Sequence, residues 1–190
     1  MTHKFHCYFE LLKGFDIISN KNTINRFLSK GIISGPSDRK SRFELAARNF
    51  ALTIVRNKFE LDGGYNCPIV VEGLKDERTL RTLGFSGIIE KINRGWNQSR
   101  LVAYFHKKYS CITPSDNGPA IILLMDWDRK GGQIQKFFRD QLMSFDVPID
   151  EDLRNVLIKT MKPEGKTVES LRPYSNILIP LINDNINQIM

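Results

Sequence analysis

The sequence predicts an α/β fold, in which a small parallel β-sheet is flanked by helices and preceded by a basic helical extension. Short apolar runs alternate with amphipathic helical patterns over residues 66–150, as is typical of parallel strands joined by crossover helices. The strongest run, 120-AIILLM-125, is apolar throughout, as expected of a strand that is buried on both faces. We therefore expect helices on both sides of the sheet.

The elements of this region follow from the spacing of apolar residues. Strands are expected at residues 68–71, 85–89, 120–125 and 145–149. An amphipathic helix between the first two strands ends at Gly84 and directs three leucines inward, Leu74, Leu80 and Leu83. Two further helices are expected at residues 96–109 and 132–144.

The chain divides into three parts by composition. Residues 1–65 are a basic, mainly helical extension, residues 66–150 hold the sheet, and residues 151–190 form a helical tail packed on it. The first boundary is placed at 62-DGG-64, which has the composition of a turn or linker. The extension contains one long helix with an apolar stripe, formed by Phe43, Ala46, Ala47, Phe50, Ile54 and Val55.

Positive charge is concentrated in the extension. The chain has a net charge of +7, and residues 1–65 hold eleven Lys and Arg against six Asp and Glu, a net charge of +5. This asymmetry is typical of a segment that contacts a polyanion such as nucleic acid, although a solvated helical surface has the same composition. No window approaches the roughly 18 to 20 continuous apolar residues that a membrane span needs.

The cysteines and the N-terminus bear on the cellular compartment. The three cysteines, Cys7, Cys67 and Cys111, lie far apart and lack metal-ligand spacing, so we expect reduced thiols. The N-terminal residues are interrupted by His, Lys and Glu and lack the apolar core of a secretory signal. A cytoplasmic protein with no membrane association is predicted.

Acidic side chains follow two of the expected strands. Glu72 comes directly after the first strand, and Asp126 and Asp128 come directly after the third. Because parallel strands end at the same edge of a sheet, these carboxylates are expected to converge there. Two carboxylates on one side can hold Mg²⁺, and one with a raised pKa can transfer a proton. Taken singly, each acid is more often a turn former or a helix cap.

The two acidic segments together resemble a toprim domain, the module shared by type IA and II topoisomerases, DnaG-type primases, OLD-family nucleases and RecR-type repair proteins. The matching segments are 69-IVVEGLKDERTLRTLG-84 and 121-IILLMDWDRKGG-132, within a resemblance that covers roughly residues 66–150. The small stand-alone archaeal toprim proteins, which resemble the ribonuclease that matures 5S ribosomal RNA, are the most similar. Their pattern V-E-G-x-x-D and D-x-D-R-x-G is met by Glu72, Gly73, Asp76, Asp126, Asp128, Arg129 and Gly131.

The resemblance implies a toprim-like, Rossmann-like sheet and a role for each acid. Glu72 would be the general acid/base or a metal ligand, and Asp126 and Asp128 would hold Mg²⁺ or Mn²⁺. One departure is that Lys130 stands where an acidic residue is frequent in the family, which places more positive charge beside the metal site. The extension at residues 1–65 has no counterpart in the minimal proteins.

Several further residues have two interpretations. Lys75, Arg129 and Lys130 either contact the phosphates of nucleic acid or are surface charges. Gly73 and Gly131 either allow a close approach of the backbone to phosphate or are structural turns. Trp127 either packs against the sheet, which we favour, or stacks on a base. A basic and aromatic cluster is read as a solvated helix end or a binding site for single-stranded nucleic acid, and comprises Tyr104, His106, Lys107, Lys108 and Tyr109.

Two functions compete at this stage. The first is a Mg²⁺-dependent nucleic-acid phosphotransfer enzyme, a nuclease of RNA maturation or DNA processing. The alternative is a non-catalytic toprim module that binds nucleic acid or docks proteins in a replication or recombination assembly. The apolar run 177-ILIPLI-182 is consistent with a docked strand or helix, or with a contact to a protein partner in a homodimer.

Overall fold

A computed structural model describes residues 38–189, so the expectations for residues 1–37, including Cys7, lie outside the described residues. Four parallel strands form one sheet in the order β2-β1-β3-β4. The strands are β1 at Ile69–Val71, β2 at Ile89–Lys91, β3 at Ile121–Leu123 and β4 at Ile149–Asp150. The predicted fold class, a small parallel sheet flanked by helices, is confirmed.

Six α-helices surround this sheet within the described residues. They are α1 at Arg39–Asn57, α2 at Leu74–Thr82, α3 at Gln98–Tyr109, α4 at Arg129–Met143, α5 at Asp152–Thr160 and α6 at Ser175–Ile189. Short 3₁₀ segments lie at Glu60–Asp62 and Glu169–Tyr174. In residues 38–189 no helix has the length and apolar character needed to cross a membrane.

The two faces of the sheet pack against different helices because successive side chains of a strand point in opposite directions. On one face, Val71 and Leu124 share a buried cluster with residues of α1, α2, α5 and α6. On the other face, Val70 and Leu123 share a second buried cluster with residues of α3 and α4. The sheet is therefore the middle of three layers, which explains its continuously apolar strands.

Helix α1 belongs to this core. It begins after Asp38, whose carboxylate accepts the main-chain N–H of Ser41 at 2.9 Å. The whole predicted stripe is buried, and most of it lies in the cluster that contains β1 and α6. The boundary that we predicted at residue 65 therefore does not separate two cores within residues 38–189. An amphipathic stripe predicts that a helix is buried, but it does not identify the element that covers it.

The C-terminal part also contributes to the same core. Leu153 and Leu157 of α5, and Leu178 and Ile182 of α6, are buried in the cluster that contains α1. The apolar run 177–182 therefore lies in a helix docked on its own chain, which is one of the alternatives left open by the sequence.

The second strand lies later in the chain than predicted, at Ile89–Lys91 instead of residues 85–89. Phe85 is buried, but its N–H donates to the Leu80 carbonyl at 3.1 Å and closes the end of α2. Gly84 allows this closure with a φ of 103°, in the left-handed region that favours glycine. The apolar character of Phe85 thus reflects core packing instead of strand pairing.

Candidate active site

The candidate site lies where the strand order changes direction. Strand β1 pairs with β2 on one side and with β3 on the other, and the chain continues from β3 to β4. In open α/β sheets, ligands bind outside the carboxyl ends of the strands at such a switch point. Glu72 directly follows β1, and Asp126 directly follows the buried segment that continues β3.

Glu72 and Asp126 are in direct contact across this switch point. The Oε1 atom of Glu72 accepts a hydrogen bond from the main-chain N–H of Asp126 at 3.1 Å. The Oδ1 atom of Asp126 accepts from the main-chain N–H of Val168 at 2.8 Å. The acids predicted at the ends of two strands are thus adjacent, and the segment before the 3₁₀ turn at Glu169–Tyr174 also contributes to the site.

Asp128 has a structural partner of its own. Its Oδ1 atom accepts from the Gly131 N–H at 2.7 Å and caps the start of α4. Trp127, between the two aspartates, is buried and donates from its indole N–H to the Gly165 carbonyl at 2.7 Å. The packing interpretation of Trp127 is confirmed, since the ring is not available to a base.

Burial and mutual repulsion raise the pKa values of the acids. The pKa of Asp126 is raised to about 7, first by burial and then by the charges of Asp76, Glu72 and Asp128. The pKa of Glu72 is raised by burial and by Asp76 and Asp128, while the Asp126 N–H and Lys130 oppose the rise. Asp76 is itself buried and accepts from the Gly73 N–H at 2.8 Å. Four carboxylates therefore influence one another at this edge.

The carboxylates at this edge are of the chemical type that binds a divalent cation, but they are not arranged as a set of ligands. Among residues 38–189, no three His, Cys, Asp or Glu side chains are grouped as a set of metal ligands. Glu72, Asp126 and Asp128 thus do not form a ready set of three ligands, and one oxygen of each aspartate accepts a main-chain N–H group. Carboxylate oxygens are nevertheless the ligands that Mg²⁺ prefers, and each carboxylate has a second oxygen.

On the side of β3 that faces β4, two buried polar side chains bond the main-chain groups at the end of β3 that no strand reaches. β4 pairs only with Ile121 and Ile122. Beyond that pairing, Gln135 of α4 accepts the Met125 N–H at 3.0 Å and donates to the Leu123 carbonyl at 3.2 Å.

Arg154 of α5 holds the following residues. Its guanidinium donates to the carbonyls of Met125 at 3.1 Å and Asp126 at 2.9 Å. Arg154 is buried, and this burial lowers its pKa. The sequence analysis did not identify Gln135 or Arg154 as site residues. The only feature of the sequence that points to either residue is its polar character on the buried side of an amphipathic helix.

The predicted phosphate-binding residues differ in their surroundings. Lys75 is exposed and pairs with Glu169 at 3.1 Å, so its charge is partly offset. Arg129 and Lys130 are exposed in the first turn of α4, and Lys130 lies close enough to Glu72 to lower the pKa of that carboxyl. Leu74 is 51% exposed, so the prediction that it points inward was wrong. It is the first residue of α2, which begins directly beyond the end of β1.

The two glycines at the site have different roles. A Cβ atom added at Gly131 would lie 2.2 Å from the Asp126 carbonyl oxygen, so only glycine permits this approach of α4 to the acidic loop. At Gly73 an added Cβ would meet the Asn93 side chain at 3.6 Å, an ordinary contact. Gly73 has extended backbone and caps α2, so the geometry does not require glycine there.

The raised pKa of Asp126 makes stability depend on pH. Between the ordinary aspartate pKa and about 7, the folded chain binds a proton that the unfolded chain does not, so stability falls as pH rises through this window. Asp126→Asn removes the ionisation. We expect it to raise the free energy of unfolding by about 1–2 kcal/mol near pH 8 after allowance for solvent screening. No gain in the free energy of unfolding is expected at about pH 4, where this side chain is neutral in the folded wild-type protein as well as in the variant.

Urea denaturation in EDTA at the two pH values measures this difference. The matched control is Asp140→Asn on the exposed side of α4, where hydrogen bonds from Lys136 and Arg139 lower the aspartate pKa. This control should give no gain at either pH. An Asp126→Asn variant that is less stable than the wild-type protein near pH 8 would contradict the repulsive electrostatics described above.

Comparison with known proteins places the chain in a family. No family model matches it. It is 32% identical over 107 residues to a UPF0292 protein of Thermococcus sibiricus, covering 56% of this chain and 76% of that protein. It is 33% identical over 104 residues to a UPF0292 protein of Thermoplasma volcanium, covering 55% of this chain and 78% of that protein. A solved structure of a putative protein from Aquifex aeolicus has 19% identity and a TM-score of 0.46, covering 70% of this chain and 98% of that chain. By its identity to relatives that it spans over most of their length, the chain belongs to the UPF0292 family.

Proposed function

We propose that this protein is a Mg²⁺-dependent nuclease with a toprim-type site at the carboxyl edge of its sheet. The observation that carries the proposal is the contact between Glu72 and the Asp126 N–H at the switch point, with Asp128 two residues further on. Ligand sites of open α/β sheets occur at this position, and carboxylates are the groups that phosphodiester chemistry needs there. The resemblance of both acidic segments to toprim domains supports the same assignment.

The acids have complementary roles in this proposal. Glu72 acts as the general acid/base, because burial raises its pKa toward the range in which a carboxyl both takes up and releases protons. Asp126 and Asp128 would hold Mg²⁺ or Mn²⁺, while Glu72 stays free to transfer the proton. When bound, the cation would offset the repulsion among the carboxylates and neutralise charge on the scissile phosphate. The Gln135 and Arg154 side chains keep Asp126 in position by fixing the main chain at the end of β3.

Positive charge beside the acids supports a nucleic-acid substrate. Arg129 and Lys130 lie in the first turn of α4 and would contact phosphates on either side of the cleaved bond. Residues 1–65 add a net charge of +5, which would strengthen binding at low salt. We also propose a cytoplasmic location, since Cys67 and Cys111 form no disulfide in residues 38–189.

A binding module without turnover is the second candidate. It is favoured by the hydrogen bonds from the Val168 and Gly131 N–H groups, which give Asp126 and Asp128 structural roles without a cation. In that case the acidic edge would stabilise the fold of a module that binds nucleic acid or a protein partner. The two candidates differ in whether a substrate is cut, which a single assay decides.

The test is incubation of the pure protein with labelled ribosomal RNA precursor, single-stranded DNA and nicked duplex DNA. Each substrate is incubated with Mg²⁺, with Mn²⁺ and with EDTA. We expect that at least one substrate is cut, that cutting requires the cation, and that it is lost in Asp126→Asn/Asp128→Asn. The control Asp140→Asn changes an exposed aspartate of α4 and should cut at the wild-type rate. Binding without cutting by the wild-type protein would favour the second candidate.

A further inference from the structure

An aromatic and cationic surface lies beside the candidate active site, in the loop that follows β2. The Asn93 N–H at the start of this loop donates to the Glu72 carbonyl at 2.9 Å, so the loop adjoins the acidic edge. Trp96 lies three residues later and is only partly buried. The guanidinium of Arg100 lies over the Trp96 ring, 4.2 Å from its centre, and that of Arg94 lies over the ring at 5.6 Å. We call these three residues the Trp96 surface.

A buried network supports this surface from below. Glu90 of β2 is 6% exposed and accepts hydrogen bonds from Tyr104 at 2.9 Å, from Tyr109 at 2.8 Å and from Lys108 at 2.8 Å. It also pairs with Arg94. Burial opposes the ionisation of Glu90, but these hydrogen bonds outweigh it and lower the pKa of this carboxyl to about 2.

The network fixes the orientation of the Trp96 ring. Tyr104 packs edge-to-face against Trp96, with ring centres 5.5 Å apart. Arg94 is held by Glu90 and by the Lys91 carbonyl, to which its Nε donates at 2.6 Å. The predicted basic and aromatic cluster is therefore not simply a solvated helix end, because Tyr109 is buried and Tyr104 supports Trp96.

The charge of this part of the chain indicates what the surface binds. Residues 91–115 contain five Lys and Arg and no Asp or Glu. Arg100 is exposed on the first turn of α3, and Lys107 is exposed two turns further along. A flat aromatic ring beside cationic side chains stacks on bases and attracts a phosphate backbone, which is how single-stranded nucleic acids are bound without base pairing. A duplex keeps its bases stacked on one another and has no free face to offer.

We propose that the exposed Arg100 side chain, whose guanidinium lies over the Trp96 ring in the free protein, moves to a phosphate of single-stranded nucleic acid. Its departure leaves that face of Trp96, next to the acidic edge, to stack on the adjoining base. The inference rests on the proposed function, because it names the class of substrate that the acidic edge would cut. Binding itself requires neither the metal nor the acids. The two proposals can therefore fail separately.

The test uses the intrinsic fluorescence of the full chain. The sequence has two tryptophans, and Trp127 is buried with its indole N–H bonded to a carbonyl. Oligouridylate, oligothymidylate and a hairpin duplex of about twelve nucleotides are titrated in EDTA, which prevents cutting. We expect the single strands to quench the emission of Trp96. Comparison of the uridine and thymidine series shows whether RNA or DNA is preferred.

Variants of Trp96 separate the loss of stacking from a loss of folding. Trp96→Ala should weaken single-strand binding by about tenfold to a hundredfold and abolish the quenching, whereas Trp96→Phe should remain within about threefold of the wild-type protein because it keeps an aromatic ring. Asp140→Asn, which changes an exposed aspartate of α4, should bind as well as the wild-type protein. Wild-type affinity in Trp96→Ala, an equal loss in both Trp96 variants, or equal affinity for the hairpin would each overturn the proposal.

Discussion

Glu72→Gln is expected to lower the rate of Mg²⁺-dependent cleavage at least about a hundredfold while the folded structure is kept. Glutamine has the size of glutamate and can still accept the Asp126 N–H through its amide oxygen, but it cannot take up or release a proton. Asp126→Asn is expected to cause a comparable loss, because it removes one charge from the cation site. Single-turnover cleavage of the preferred substrate measures both effects.

The cleavage rates of these variants are interpreted with a check of the fold, a control variant and a pH profile. The circular dichroism spectrum and the thermal midpoint of each variant report whether the fold is kept, and the Asp140→Asn control reports the effect of losing a carboxylate elsewhere on α4. The pH profile of cleavage at saturating Mg²⁺ shows whether Glu72→Gln removes a titration, as loss of a proton-transfer group should. Wild-type cleavage by Glu72→Gln would exclude Glu72 from the mechanism.

Phe50→Ala is expected to destabilise the whole of the described domain by about 3–5 kcal/mol, because it leaves a cavity in the core. Phe50 is fully buried on α1 and packs edge-to-face against Phe85, with ring centres 6.3 Å apart. If α1 shares the core of the sheet, unfolding should remain a single transition that moves to lower denaturant concentration. Equilibrium urea denaturation followed by circular dichroism measures the change.

The control for this prediction lies on the same helix. Glu44 is exposed and forms an ion pair with Lys40 at 3.8 Å, so Glu44→Ala should change the free energy of unfolding by no more than about 0.5 kcal/mol. A Phe50→Ala variant in which α1 melts alone, with the remaining transition unchanged, would show that α1 is a separate extension as its sequence first suggested.

The position of the acidic residues could be predicted from the sequence because it depends on local pattern and on one general rule. An apolar run such as 120–125 predicts a buried strand, and parallel strands end at one edge of a sheet. These two inferences are sufficient to place Glu72 near Asp126. The direction of the carboxylates could not be predicted, since it depends on which main-chain N–H groups come within reach.

The supporting residues could not be predicted for a different reason. Gln135 and Arg154 lie on amphipathic helices, where an isolated polar residue indicates exposure to solvent. Their burial follows from the short pairing of β4, which leaves main-chain groups near Met125 to be bonded by side chains. The Val168 N–H reaches Asp126 only because the C-terminal part folds back over the sheet edge. Such contacts depend on tertiary packing between residues far apart in the sequence.

The most direct test of the central claim is a titration of the metal-free protein with Mn²⁺, followed by electron paramagnetic resonance. We expect about one bound Mn²⁺ per chain that Mg²⁺ displaces. This binding should be lost in Asp126→Asn/Asp128→Asn and kept in Asp140→Asn. Undiminished Mn²⁺ binding in the double variant, or no binding by the wild-type protein, would contradict a cation site at the ends of β1 and β3.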